Sequence, residues 1–454
     1  MTTHDATLPR TVARPIATER KSYSVYAGCL LILLALVLSG TILESTILPQ
    51  GTIVGTSRRA PALAIVRLLL FGTGVYVLVR RPRLTAVHLT VFVIGGVMAL
   101  ALGSAALQVA YVPPHIVAGW RSFAPVSEQN ELGYRGRHIT YSKDDYVVLL
   151  VGDSQVEAMA LTPDKTPEQR LEAHLTEIEP HVKVFSLGAG GYGQDQELLA
   201  LQGYFQKYRA DLVVLWETPG NDVWNNVFKT HMFNRNPKPT YWLDDSHQLR
   251  GPSEALGEPL GASRIVIAAL WQRAFGLPWR DRSWERSLPE AYRPLDHYDG
   301  PVRTEWQDRW NTNRGKMRDE NLKTEKSHLA IMLTPRSKRM QYGVDLTHAL
   351  IQRIQDLVTA NRGRLVLFQA ETEESAPQPP AVYVLNGKYY PVSGNQLLAN
   401  WNDINGGFDT EIVRVTEKNW RVGPDDGHLN GPATEQAMSQ LADRLRTRIV
   451  KKTS

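Results

Sequence analysis

A chain of 454 residues, 43% hydrophobic and 21% charged, is longer than one hydrophobic core usually serves and too apolar to be disordered throughout. Its net charge of +5 leaves no nucleic-acid footprint: residues 1–113 hold ten Lys/Arg against three acids, so the remainder carries 41 basic and 43 acidic residues. The single cysteine, Cys29, lies in an apolar run and excludes an intramolecular disulfide.

The first elements along the chain are three apolar runs, at 23–43, 62–79 and 86–110. The first has no charge over about twenty residues, enough at about 1.5 Å per residue to cross a hydrocarbon core of roughly 30 Å. A cleavable signal peptide is the rival reading, but the two runs that follow argue for a polytopic anchor of three transmembrane helices over residues 23–113. Arg67 stands near the start of the second run, where its side chain can snorkel to the interface. The basic tail, residues 1–22, and Arg80-Arg81-Pro82-Arg83 place the cytoplasm by the positive-inside rule, with Arg58 and Arg59 opposing it. The expectation is a multi-pass protein of the cytoplasmic (inner) membrane, with the lipid bilayer as a partner and residues 114–454 on the extracytoplasmic side.

Beyond the anchor, Tyr146-Val147-Val148-Leu149-Leu150-Val151 is a continuous apolar, β-branched run of the kind a strand buried on both faces needs. Similar runs recur at 182–187, 212–216 and 364–368. Helical spacing of apolar residues appears at 167–178, 194–208, 345–360 and 432–449. This alternation predicts an α/β domain, a parallel sheet covered by helices on both faces. Residues 223–342 break the rhythm. They are rich in Trp, Pro, Arg and Asp, with Trp242, Trp271, Trp279, Trp284, Trp306 and Trp310, and read as an insertion that packs on the sheet as a cap. No internal repeat is present.

In an open parallel sheet, ligands gather at the carboxyl ends of the strands. After the first strand come Gly152-Asp153-Ser154-Gln155, and after the second Gly188-Ala189-Gly190-Gly191-Tyr192-Gly193. The third is followed by Pro219-Gly220-Asn221-Asp222, and near the end stands Asp425-Asp426-Gly427-His428. Taken singly, these are a turn, a helix N-cap, a flexible loop and a solvent-facing histidine. Their order and strand-end placement together resemble the SGNH, or GDSL-type, hydrolase superfamily over roughly residues 130–450. Asn130-Glu131-Leu132-Gly133-Tyr134-Arg135 also resembles a segment that precedes Gly-Asp-Ser in many extracytoplasmic members. Two positions depart from the pattern: Pro219 where block three begins with glycine, and Gln155 where leucine usually follows the serine.

The resemblance implies a three-layer α/β/α flavodoxin-like domain with Ser154 as nucleophile and His428 as general base. Asp425 would orient the imidazole, leaving Asp426 a bystander. The oxyanion hole would be the backbone N–H of Ser154, the N–H of Gly191 and the side-chain amide of Asn221, with Gly191 chosen over Gly188 and Gly190 by block alignment. The chemistry asks for these residue types, since a serine hydroxyl attacks only when a base takes its proton and the oxyanion needs fixed donors. No metal or cofactor is expected, because no zinc-spaced cluster, Walker loop or nucleotide fingerprint is present.

The reading is a membrane-anchored serine esterase acting on O-acyl groups of extracytoplasmic glycans, or another small ester, through an acyl-serine intermediate. A sugar hydroxyl in place of water would make it an O-acyltransferase of cell-surface or exported polysaccharide. Three spans are too few for an acyl-CoA channel, so that version needs a separate membrane-bound acyl-donor protein. A third alternative is a non-catalytic glycan-binding subunit that uses the insertion tryptophans as a platform.

Overall fold

The computed structural model describes residues 23–42, 59–88, 90, 94, 122, 124–229, 238–252, 287–312, 322–373, 379–424 and 426–449. The chain divides into two units, 1–110 and 111–454.

In the first unit, α1 (Ser24–Val37) packs against α2 (Arg59–Arg80). Glycines allow the approach: a Cβ on Gly74 would lie 2.9 Å from the carbonyl oxygen of Gly28, closer than side chains tolerate. Ala60–Arg80 is the one helix among the described residues long and apolar enough to cross a membrane. The expected first span is not one such helix. It breaks after Val37: Ser39 N–H turns back to the Leu36 carbonyl at 3.2 Å, and Ser39 Oγ accepts from Ile42 N–H at 3.1 Å, capping a new turn. The fourteen residues of α1 extend only about 21 Å, short of a hydrocarbon core. The expected third span, 86–110, falls almost wholly outside the described residues. Arg67 sits well inside α2 rather than near its end, and its Nε donates to the Ala35 carbonyl in the last turn of α1 at 2.9 Å.

The second unit is built on a five-stranded parallel sheet. Along the chain come β1 (Tyr146–Gly152), α3 (Ser154–Glu157), α4 (Pro167–Ile178), β2 (Val182–Gly188), α5 (Gln194–Phe205), β3 (Leu212–Trp216) and α6 (Asp222–Val227). Within the predicted insertion lie the short ribbon β4 (Trp242–Leu243) and β5 (Leu249–Arg250), then α7 (Glu305–Thr312). The chain continues with α8 (Lys338–Ala360), β6 (Arg364–Glu371), the hairpin β7 (Ala381–Leu385) and β8 (Lys388–Val392), α9 (Gly394–Asn405) and β9 (Thr410–Arg414). It closes with the hairpin β10 (Arg421–Gly423) and β11 (Asp426–Leu429) and then α10 (Gly431–Leu445).

The sheet order is β2-β1-β3-β6-β9, and every pairing in it is parallel. All seven residues of β1 are buried, which is why its sequence is apolar without alternation. Val147, Leu149 and Val151 face one layer with Leu198 and Leu201 of α5 and Leu350 and Ile354 of α8. Val148 and Leu150 face the other with Leu171 and Leu175 of α4 and Met438 and Leu441 of α10. Helices therefore cover both faces, as the alternation predicted. The order doubles back between β1 and β3, and the crevice outside the strand ends at such a switch point is where open sheets hold ligands.

Strands β7 to β11 and helix α9 were not predicted, and one predicted helix starts early. The strand β9 forms the sheet edge, and α8 begins seven residues before the predicted 345, where Ser337 Oγ accepts from Met340 N–H at 3.0 Å and caps it. The stretch after α6 is pinned to the sheet's helices by a buried ion pair, Lys238 Nζ on Asp195 of α5, whose loss on one side typically costs about 3–5 kcal/mol. Trp306 packs against the first layer, whereas Trp242 is largely exposed. Trp271, Trp279 and Trp284 fall outside the described residues.

Candidate active site

Ser154 is the first residue of α3, directly beyond the end of β1. The turn is set by Asp153, whose buried carboxylate accepts from the N–H of Gln155 at 2.8 Å and so caps the helix. The second oxygen of Asp153 accepts from Nδ2 of Asn221 at 3.1 Å. The Ser154 turn and the loop after β3 are thus joined by one bond. Burial pushes Asp153 up, opposed by the Gln155 N–H, the Asn221 amide and the charge of His428. Pro219, the departure at block three, leaves this geometry intact.

The loop after β2 is fixed from the far end of α3. Glu157 is buried and accepts from Gly190 N–H at 2.7 Å and from Ser122 Oγ at 2.6 Å. The N–H of Gly190 is therefore spent, whereas those of Gly191 and Ser154 make no hydrogen bond among the described residues. Gly191 has a φ of 75°, a left-handed conformation that favours glycine. Helix α3 ends after four residues because Ala158 turns left-handed at φ 46°. The buried Arg135 guanidinium takes up the exposed carbonyls of Glu157 at 3.1 Å, Ala158 and Leu161 at 2.7 Å. Asn130 holds its own loop to β2 through Nδ2 to the Ser186 carbonyl at 3.1 Å. The Asn130–Arg135 segment noted in the sequence therefore braces the back of the serine turn.

The loops after β2 and β3 are laced together. Gln194 donates from Nε2 to Asp222 at 2.8 Å and accepts from Asn226 Nδ2 at 2.7 Å, while Asn225 Nδ2 reaches the Tyr192 carbonyl at 3.3 Å. Three carboxyls here are buried: Asp222 itself, Glu197 and Glu217. Burial raises Glu197, with the nearby charges of Asp222 and Asp153 adding to it, and burial likewise raises Asp222. Burial pushes Glu217 to about 8, against the pull of hydrogen bonds from Asn405 and Gln369.

His428 is on β11, a strand of the terminal two-stranded hairpin rather than of the main sheet. Its Nδ1 contacts Oδ1 of Asp426, which also accepts from the His428 backbone N–H at 3.1 Å. Asp426 is thus the carboxylate that contacts this imidazole among the described residues, and Asp425, expected in that place from the sequence, lies outside them. The reason is local geometry. A spacing of three suits a turn, but this segment is extended, and in a strand side chains two apart share a face. With Nδ1 engaged by a carboxylate, Nε2 is the nitrogen left to act as a base.

Gln155 was the other departure, and it connects the hairpin to the turn carrying Ser154. Its Nε2 donates to the Gly427 carbonyl at 3.3 Å and its Oε1 accepts from Leu429 N–H at 3.2 Å. The structure thus ties the other three sequence blocks to the turn carrying Ser154, through Asp153, Gln155 and Glu157. Of the bracing residues, Glu157 and Gln194 gave no sequence signal, whereas Arg135 lies in the Asn130–Arg135 segment and Gln155 stood out as a departure from the pattern. Among the described residues, no group of three or more His, Cys, Asp or Glu is placed to hold a metal ion.

No family model matches the chain, and no curated protein matches it. Among solved structures it has similarity to an acetyl xylan esterase from the rumen bacterium Butyrivibrio proteoclasticus, at 9% identity and a TM-score of 0.30 over 69% of this chain and 66% of that one. A protein named as an arylesterase from Agrobacterium tumefaciens matches at 13% identity and a TM-score of 0.29, over 67% of this chain and 100% of that one. A GDP-L-fucose synthetase from Naegleria fowleri matches at 10% identity and a TM-score of 0.17, over 69% of this chain and 97% of that one. At TM-scores this low, none of these likenesses bears on the assignment.

Proposed function

We propose that the chain is an SGNH-type serine esterase, anchored in the cytoplasmic membrane through its N-terminal helices, that removes O-acyl groups from extracytoplasmic glycans. One observation carries the reading: the residues on either side of Ser154 hold the other parts of a serine site, Asp153 binding Asn221 and Gln155 binding the strand of His428. Turnover follows from those parts. His428 Nε2 takes the proton of Ser154 Oγ as the hydroxyl attacks the acyl carbonyl, and Asp426 stabilises the imidazolium that forms. The oxyanion is met by the N–H groups of Ser154 and Gly191 and by the amide hydrogen of Asn221 not given to Asp153. Collapse breaks the bond to the sugar oxygen, which takes the proton from His428 and leaves as the sugar hydroxyl, and water then releases the acid by the same steps. The glycan substrate and the membrane placement rest on the sequence resemblance and on the apolar helix Ala60–Arg80.

The test uses the full-length chain in detergent with a short-chain p-nitrophenyl ester and an O-acetylated glycan. Ser154→Ala is expected to lower kcat/KM by at least about 1000-fold on both. Undiminished turnover by Ser154→Ala would overturn the reading. Serine-dependent turnover in which the acyl group reaches a sugar hydroxyl rather than water would make the enzyme an O-acyltransferase.

A further inference from the structure

Residues 426–429 carry the base and its acid, yet the hairpin that holds them has only two short strands and joins no other sheet. A two-stranded ribbon is marginal by itself in water. At its C-terminal end the ribbon is secured by Leu429, buried in the second layer, and by Asn430, which caps α10 through a bond from Ala433 N–H at 3.0 Å. The outer end, with Asp426 and His428, is partly exposed: their side chains keep 43% and 35% of their accessible area.

The edges of β11 are used differently. Asn430 N–H, at the strand's end, goes to the Trp420 carbonyl beside β10 at 2.8 Å. Leu429 N–H and the Gly427 carbonyl, which an extended chain turns to the opposite edge, both go to Gln155. A primary amide carries one acceptor and donors on one planar group, as a peptide does, so Gln155 serves as a one-residue third strand. It brackets His428 and belongs to the residue bonded to Ser154.

We propose that Gln155 is the positioning residue that sets the general base against the nucleophile. It touches no reacting atom. It acts by fixing the main chain on both sides of His428 relative to the serine turn. The inference rests on the serine-esterase reading above. Leucine, which stands here in the family pattern, has neither donor nor acceptor and would leave Leu429 N–H and the Gly427 carbonyl without this partner.

The experiment compares Gln155→Leu and Gln155→Glu in the full-length chain, each alone, with Asp426→Asn and with Asn221→Ala. Gln155→Leu is expected to lower kcat about 10- to 100-fold with KM unchanged, the size of effect that a slightly misplaced catalytic group produces. Gln155→Glu keeps the acceptor for Leu429 N–H and loses the donor to Gly427, so its loss falls between wild type and Gln155→Leu. It also reads the clamp should the leucine variant not fold. Because Gln155 and Asp426 both act through His428, the combined loss is expected to be smaller than the product of the separate losses, whereas the combination with Asn221→Ala is multiplicative.

Retention of kcat by both Gln155 variants, or a Gln155→Leu loss that multiplies in full onto Asp426→Asn, would overturn the proposal. A fall in kcat only in step with a lost thermal transition would do the same, since that is a folding defect. Failure of the serine reading is a separate result: there Ser154→Ala itself keeps its turnover.

Discussion

The two halves of the site are built on different foundations. The half contributed by the loops after β1, β2 and β3 is continuous with the sheet. Asp153, Glu157 and Asn221 are buried, their bonds run to one another's loops, and the strands feeding them have no exposed face. The half contributed by the terminal hairpin stands outside that sheet, and Asp426 and His428 are partly open to solvent. The proposed oxyanion donors are therefore held by the same packing that holds the fold, while the proposed base is held by a few side-chain hydrogen bonds. Changes in the first half should cost both rate and stability, and changes in the second should cost rate alone.

The sharpest break of that comparison is in the hairpin. Asp426→Asn is expected to lower kcat by about 1000- to 10,000-fold, as loss of an orienting carboxylate does elsewhere, with the melting temperature unchanged. Asp425→Asn should leave kcat close to wild type. Steady-state rates and calorimetry on the pair decide it, and a crippled Asp425→Asn beside an active Asp426→Asn would defeat the strand-face argument. In the sheet half, Asn221→Ala is expected to cost about 100- to 1000-fold in kcat through a lost oxyanion donor. It should also destabilise by about 1–3 kcal/mol, because one oxygen of the buried Asp153 loses its partner. A melting temperature equal to wild type in Asn221→Ala would erase the contrast between the halves.

The same contrast explains what could be read before the fold was known. The runs at 146–151, 182–187 and 212–216 were legible because strands buried on both faces must be apolar throughout, and Ser154 and Asn221 follow from being next in line. β9 was missed because Thr410–Arg414 is an edge strand with mostly half-exposed and exposed positions, so its sequence lacks that signature. The Asp426–His428 contact is not legible in the sequence, because choosing between spacings of two and three requires knowing that 426–429 is extended. Gly191 and Gly190 look alike in sequence. They differ in whether their N–H is spent, which depends on Glu157, thirty-three residues away. Positions whose role is their own packing are visible in a sequence; positions whose role is a partner far along the chain are not.

Glu217 sharpens the comparison with the smallest effect, on stability alone. It follows β3 directly, and its Oε2 accepts from Gln369 and Asn405, each at 3.0 Å, while Oε1 is buried without a partner among the described residues. Burial lifts it from the ordinary 4.5 to about 8, so the folded chain holds this proton more tightly than the unfolded chain does. The stabilisation is complete below pH 4.5 and is lost as pH rises through 8. Glu168, raised by burial to about 7, adds a dependence of the same sign. In Glu217→Gln the side-chain oxygen keeps both amide donors and no charge forms at any pH. The variant should match wild type near pH 4.5 and exceed it by about 1–3 kcal/mol at pH 8.5, seen as a shallower fall of melting temperature across that range. An undiminished slope would mean that Glu217 ionises freely in the folded chain, and that the floor beneath the loop after β3 is as open to water as the hairpin opposite.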